Sequence, residues 1–246
     1  MNRPYTPSTI CFVHAHPDDE TLTTGALIAH LSRQGHRVSV LTATRGEMGE
    51  VVPGPFSDLA GTPALEVRRE QELAGALQVL GVADSGFLGT HPARADGLPD
   101  RRYQDSGMRW VTEHVAGPAE HADERSLCAA THEEVVADIA AHLRHVGAEL
   151  AITYDADGGY GHPDHVILYS LTQRAAEEVG IGFAAISHEP GAGVHWFELE
   201  NLLPVVLEAL GHHQTQLSVN GNTLTHSGGQ HDVVKTSVGL KGALPR

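Results

Sequence analysis

Residues 13–20 read Val-His-Ala-His-Pro-Asp-Asp-Glu and follow directly on the apolar run Ile10-Cys11-Phe12-Val13. A buried strand ending in two histidines and three carboxylates cannot continue as core, because such groups are costly to bury without partners. They are also too concentrated to be casual surface decoration. This run constrains the fold more than any other, since the chain must carry a strand to an edge where polar groups converge. A second cluster of the same residue types, Gly161-His162-Pro163-Asp164-His165, lies far along the chain. The expectation is that the two clusters meet and hold one metal ion.

The surrounding pattern says what kind of edge this is. Residues 8–13 read as a buried strand, 21–34 as a helix stopped by Gly35, and 37–42 as a second strand. Strand, helix, strand within about 35 residues is a βαβ unit with parallel strands and a right-handed crossover. Residues 45–62 read as a loop. Pro63 opens a helix that Gly81 ends, and 86–89 is a short strand. Residues 90–130 lack a period and read as a long loop, with a short helix expected over 110–115. Thr131 to Glu134 has the form of a capping box ahead of a helix to Gly147. Residues 149–154 read as a strand and 155–161 as a glycine-rich turn, with a helix from Pro163 to about 179. A strand at 183–187 and a helix over 199–210, interrupted by Pro204, follow. The tail from Gln214 shows no clear pattern. The alternation predicts an α/β fold: one Rossmann-like doubly wound domain over 1–246 with a mainly parallel sheet. Both His-rich clusters then fall at the carboxyl ends of strands, where such folds place ligands.

Composition narrows the partners. A formal net charge of −15 argues against a phosphate-backbone binder and against anionic membranes. The two cysteines, Cys11 and Cys128, make no disulfide framework. There is no apolar signal core behind a basic start, and no run near the roughly 18 apolar residues of a membrane span. A cytoplasmic protein acting on a small molecule is expected, with self-association into a homo-oligomer left open. The chain has no Gly-x-Ser-x-Gly elbow, no phosphate-binding Gly-x-x-x-x-Gly-Lys loop and no Gly-x-Gly-x-x-Gly after the first strand.

Catalytic zinc favours three protein ligands and an open fourth position. His16 and Asp19 are three residues apart after the strand, and His165 could supply the third ligand. With 18 histidines and 31 acids in the chain, about two His-x-x-acid pairs arise by chance. The weight therefore rests on two dense clusters at strand-to-helix junctions. Asp18 is left over from that ligand set, either as the base for a metal-activated water or as a helix N-cap. His162 could be a fourth ligand, closing a structural site, or an imidazolium that protonates a leaving amine. In the second case Asp164 would orient it and raise its pKa. Tyr160 could donate to an oxyanion. His14 and Glu20 are expected in supporting hydrogen bonds or helix capping. His188, His195, His226 and His231 read as solvated or locally satisfied.

The two clusters together resemble the LmbE-like (PIG-L type) zinc-dependent deacetylases of N-acetylglucosaminyl compounds. Within that family they are most similar to the branch that deacetylates N-acetylglucosaminyl-inositol in mycothiol biosynthesis. Thr153-Tyr154-Asp155 leading into Gly158-Gly159-Tyr160-Gly161, the stretch Asp105-Ser106-Gly107-Met108, and Arg69 with Glu72-Leu73 carry the resemblance further. It implies His16, Asp19 and His165 as ligands of Zn2+, or of Fe2+ or another divalent metal in the cell. It implies Asp18 as general base, His162 as general acid with Asp164 behind it, and Tyr160 at the oxyanion. Arg69 and Asp105 are implied as substrate contacts, and the partner as an N-acetylated amino-sugar. Beyond Ser187 the resemblance thins to a fragment, His213-x-Thr215-Gln216. Amidases of mycothiol S-conjugates and bacillithiol-type deacetylases share most of these motifs, which leaves larger acyl groups and other aglycones as alternatives.

Overall fold

The computed structural model describes residues 9–112, 115–120 and 122–243. Strand β1 (Thr9–His14) leads into helix α1 (Asp19–Arg33) and strand β2 (Arg37–Thr42). The two strands pair in parallel, from Thr9 opposite Arg37 to His14 opposite Thr42. Helix α2 (Pro63–Leu80) starts on its proline and stops at Gly81, whose φ of 79° lets the chain turn into β3 (Asp84–Phe87).

Strands β4 (Arg109–Thr112) and β5 (Val115–Gly117) pair antiparallel, so the helix expected over 110–115 is not formed. Aromatic and β-branched residues such as Trp110, Val111 and Thr112 favour a strand; residues 113 and 114 lie outside the described set. Helix α3 (His132–Val146) begins after Thr131, but no side-chain cap bond forms there. The expected capping box gives way because Glu134 instead accepts from Arg94 at 2.7 Å and Arg101 at 2.6 Å. Those charged hydrogen bonds tie the 90–130 loop to α3 and outweigh a single cap.

Next come β6 (Leu150–Thr153), the single turn α4 (Gly158–Gly161), α5 (Pro163–Val179), β7 (Gly182–Ser187) and β8 (Val194–Glu198). Helix α6 (Leu203–Leu210) has Pro204 in its first turn, after a short 3-10 turn. The proline therefore starts this helix rather than interrupting it. The unpatterned tail holds four strands: β9 (Leu217–Asn220), β10 (Thr223–His226), β11 (His231–Val233) and β12 (Ser237–Ala243).

The main sheet runs β3-β2-β1-β6-β7-β12-β8. Its first five strands are parallel, while β12 is antiparallel to both β7 and β8. Both faces are covered, which explains the unbroken apolar run of β1. Ile10 and Phe12 face α1, α2 and α6, whereas Cys11 and Val13 face α3 and α5. Fully burying a side chain like Phe12 stabilises the fold by roughly 1.5–3 kcal/mol. Strands β9 to β11 form a separate antiparallel sheet near α6. Among the described residues no helix is long and apolar enough to cross a membrane.

Strand β1 sits between β2 and β6, and the chain moves outward in opposite directions from these two neighbours. The segments after β1 and β6 therefore diverge and leave a crevice at the carboxyl edge. Both histidine clusters lie there.

Candidate metal centre and active site

Three atoms meet at this crevice. Nδ1 of His16, after β1, and Oδ2 of Asp19, first in α1, are 3.3 Å apart. Nε2 of His165, in the first turn of α5, is 3.3 Å from each of them. A tetrahedral ion holding donors at about 2.0–2.1 Å needs ligand–ligand edges of roughly 3.3–3.4 Å. The triangle has that edge on all three sides, so the donors fit a tetrahedral cation that leaves its fourth position free.

The atoms behind the triangle point the same way. A histidine that binds metal through one nitrogen usually donates from the other. His16 Nε2 faces Asp164 Oδ2 at 3.3 Å and Asp105 Oδ1 at 3.4 Å, and His165 Nδ1 faces the Gly158 carbonyl at 3.3 Å. With the far nitrogens facing these acceptors, His16 Nδ1 and His165 Nε2 are the ring atoms that face the triangle. Burial alone would disfavour a charged His16, but Asp105, Asp164 and Asp19 outweigh it and hold its pKa well above the usual value. The cluster is short of positive charge, which a cation would supply.

His162 belongs to looser groupings, with His16 and His165 or with His16, Asp105 and Asp164, whose atoms lie within 4.8 Å of one another. It occupies the N-cap of α5, and its Nδ1 accepts from the Asp164 amide at 3.2 Å. The neutral ring then carries its proton on Nε2, 4.0 Å from Asp105 Oδ1. The carboxylate–imidazole pair expected between Asp164 and His162 is not formed. Asp164 spends its carboxylate on His16, on the Ser106 amide at 2.9 Å and on the Cys128 thiol at 3.2 Å. Nor is the pKa of His162 raised: burial, then His16 and His165, push it down to about 4.

Asp18 precedes α1 but makes no side-chain cap bond. Its carboxylate lines the cavity and takes no hydrogen bond among the described residues. Burial, then Asp19, raises its pKa to about 7. Its backbone is strained, at φ 144° and ψ −27°, which costs about 1–3 kcal/mol for a non-glycine residue.

The cavity measures about 860 Å³ and runs from the triangle to the β10–β11 hairpin. Tyr160 stands on its wall, 58% exposed, its ring edge-on to His165 at 5.1 Å. Asp105 is buried beside His16 and accepts from the Gly107 amide at 2.8 Å. His16 and His162 outweigh its burial and hold it well below the ordinary carboxylate range. Arg69 also lines the cavity, yet its guanidinium is spent on the loop after β2: the Gly46 carbonyl, the Glu50 carbonyl at 2.9 Å and the Gly49 carbonyl at 3.4 Å. A Cβ at Gly49 would lie 2.5 Å from its Nη1, so a side chain there would push the guanidinium out of this position.

Against this geometry the sequence comparison is decisive: residues 11–176 match the family described as "PIG-L: GlcNAc-PI de-N-acetylase". The chain belongs to the PIG-L family.

Among curated relatives, the 1D-myo-inositol 2-acetamido-2-deoxy-alpha-D-glucopyranoside deacetylase of Kineococcus radiotolerans is 47% identical over 69% of this chain and 45% of its own length. The protein of the same description from Rhodococcus jostii is 38% identical over 81% of this chain and 62% of its own. The chain thus spans about half to two-thirds of the relatives it matches. The N,N'-diacetylchitobiose deacetylase from Pyrococcus horikoshii shares the fold, with a TM-score of 0.59 and 19% identity over 85% of this chain and 70% of that one.

Four residues given no role by sequence reasoning lie at the triangle or along the cavity, and one of them, His231, is also locally satisfied by Thr225 at 2.9 Å. Tyr154, buried at the end of β6, holds Asp19. Its position straight after an apolar strand was the available signal. His188, His226 and His231, read as solvated or locally satisfied, line the cavity beyond the matched stretch. His195 stays away from it, on β8 against Phe197. His14 turns to Thr24 at 3.0 Å, and Glu20 accepts the Asp18 amide, which are the supporting bonds expected of both.

Proposed function

We propose that this protein is a zinc-dependent hydrolase that removes the acetyl group from an N-acetylglucosaminyl-inositol or a close analogue. The observation that carries the reading is the equilateral triangle of His16, Asp19 and His165 beside the unpaired carboxylate of Asp18. Two histidines and one carboxylate are a donor set suited to catalytic zinc. When bound, the cation lowers the pKa of water and polarises the acetyl carbonyl.

The chain's own residues do the rest. Asp18, with a pKa near neutrality, takes the proton of the attacking water. Tyr160, its hydroxyl unengaged among the described residues, donates to the oxyanion of the tetrahedral intermediate. As the C–N bond breaks, the proton reaches the departing nitrogen through Nε2 of His162, so acetate and the free amine leave. Because the Asp164 amide occupies Nδ1, Nε2 gives up its own proton and takes over the one held by Asp18, so the ring is neutral before and after. Asp164 fixes His162 through its amide and His16 through its carboxylate. Asp105 accepts from a sugar hydroxyl beside His16, and Arg69 supports the sugar wall through the loop it clamps.

The test is amine release from N-acetylglucosaminyl-inositol by the zinc-loaded, iron-loaded and chelator-treated protein. The reading predicts turnover with metal and none without it. Turnover confined to substrates with bulky acyl groups, or undiminished by chelation, would refute it.

A further inference from the structure

Asp18 is the one non-glycine residue with positive φ among the described residues. Its carbonyl accepts from the Thr21 and Leu22 amides and so starts α1. Those bonds serve an ordinary helix start equally well, and they do not select the strained φ. The amide side differs. Asp18 N–H donates to Glu20 Oε2 at 3.0 Å, folding the backbone back on the side chain two residues ahead.

Glu20 is fully buried, so something must hold its carboxylate in place. Oε1 accepts from the Thr21 hydroxyl and lies 3.1 Å from Nε2 of His213. His213 is also fully buried and comes from the turn after α6, outside the stretch that matches the family. Its Nδ1 accepts from the Gln216 side-chain amide at 3.2 Å, which leaves its proton on Nε2, aimed at Glu20. A relay of four residues therefore runs from the C-terminal segment to the backbone of Asp18.

We propose that His213 is a positioning residue for Asp18. Acting through Glu20, it holds the Asp18 amide and with it the left-handed backbone that presents the Asp18 carboxylate to the cavity. The proposal deepens the reading of Asp18 as the base and rests on it. Without His213, the buried Glu20 carboxylate loses the N–H donor that fixes Oε1, and it turns. The Asp18 amide then loses its acceptor and the residue relaxes to negative φ. A carboxylate displaced by an ångström is a poor base, although the three triangle atoms keep their own partners.

The test uses the full chain, zinc-loaded, assayed on N-acetylglucosaminyl-inositol. His213→Leu is expected to lower kcat about 10- to 100-fold with KM and zinc content little changed. In the Asp18→Ala background the same substitution is expected to add nothing, because the group it positions is gone. A crystal structure of His213→Leu is expected to show Asp18 at negative φ. Should that variant not fold, Gln216→Leu removes the donor that orients His213 without baring a charge. It is expected to give a smaller kcat loss that also vanishes with Asp18→Ala. An equal loss in both backgrounds, no loss at all, or Asp18 still at positive φ would each overturn the proposal. Full turnover by Asp18→Ala alone would sink the base reading instead, and the Asp18 backbone in the variant crystal would still decide the positioning.

Discussion

The Tyr154 hydroxyl donates to Asp19 Oδ2 at 2.7 Å and accepts from the Ala15 amide at the same distance. Its ring also lies flat on His165, with centroids 4.0 Å apart. One side chain at the end of β6 thus orients two corners of the triangle and closes the turn after β1. Tyr154→Phe keeps the stacking and removes the hydroxyl. Loss of such a supporting partner is expected to weaken zinc binding about 10- to 100-fold. The bared Ala15 amide is expected to cost about 1–3 kcal/mol of stability. Competition with a chromogenic chelator and urea denaturation measure the two effects; unchanged zinc affinity would remove Tyr154 from the metal centre.

Asp164 is the partner of His16, not of His162. Asp164→Asn leaves the backbone amide that His162 accepts from and weakens only the carboxylate contacts. The expected outcome is therefore a fall in zinc affinity of about 10-fold or more, with kcat largely retained at saturating metal. A kcat collapse at full zinc occupancy would instead restore the carboxylate–imidazole pairing expected from spacing.

Asp18 and His162 are separable by isosteric amides. Asp18→Asn cannot take a proton, and a fall in kcat of about 10²- to 10⁴-fold is expected with zinc still bound. His162→Gln retains an N–H donor but transfers no proton, so a comparable fall marks proton delivery. Retention of kcat within about tenfold would mean that His162 only donates a hydrogen bond.

His142 offers a pH test far from the metal. It is buried against Ser39 at 3.0 Å, and burial, with His145 adding to it, lowers its pKa to about 4. Between the ordinary value of 6.5 and about 4 the unfolded chain binds this proton and the folded chain does not. Stability is therefore full above pH 6.5 and falls as the pH drops toward 4, by about 3 kcal/mol in all. His142→Gln is expected to flatten that limb of the difference curve in urea denaturation. Parallel curves for variant and parent between pH 6.5 and 4 would show that His142 stays neutral in neither state or in both.

Sequence by itself determined the parallel sheet and the two histidine-rich clusters at its carboxyl edge. Hydrophobic period, proline and glycine punctuation and residue chemistry are local, and β1, β2, α2 and α5 carry them without contradiction. That His16, Asp19 and His165 belong together followed from residue type and from their placement at strand ends. Only the tertiary structure decided which partner each polar group has. Spacing put Asp164 behind His162, two residues away, yet the fold turns its carboxylate to His16, 148 positions off in the chain. β12 finds its place between β7 and β8 through backbone pairing that no side-chain pattern announces. The reason is physical: hydrogen bonds and ion pairs are set within a few ångströms of space, and sequence distance carries no record of which atoms the fold brings to that range.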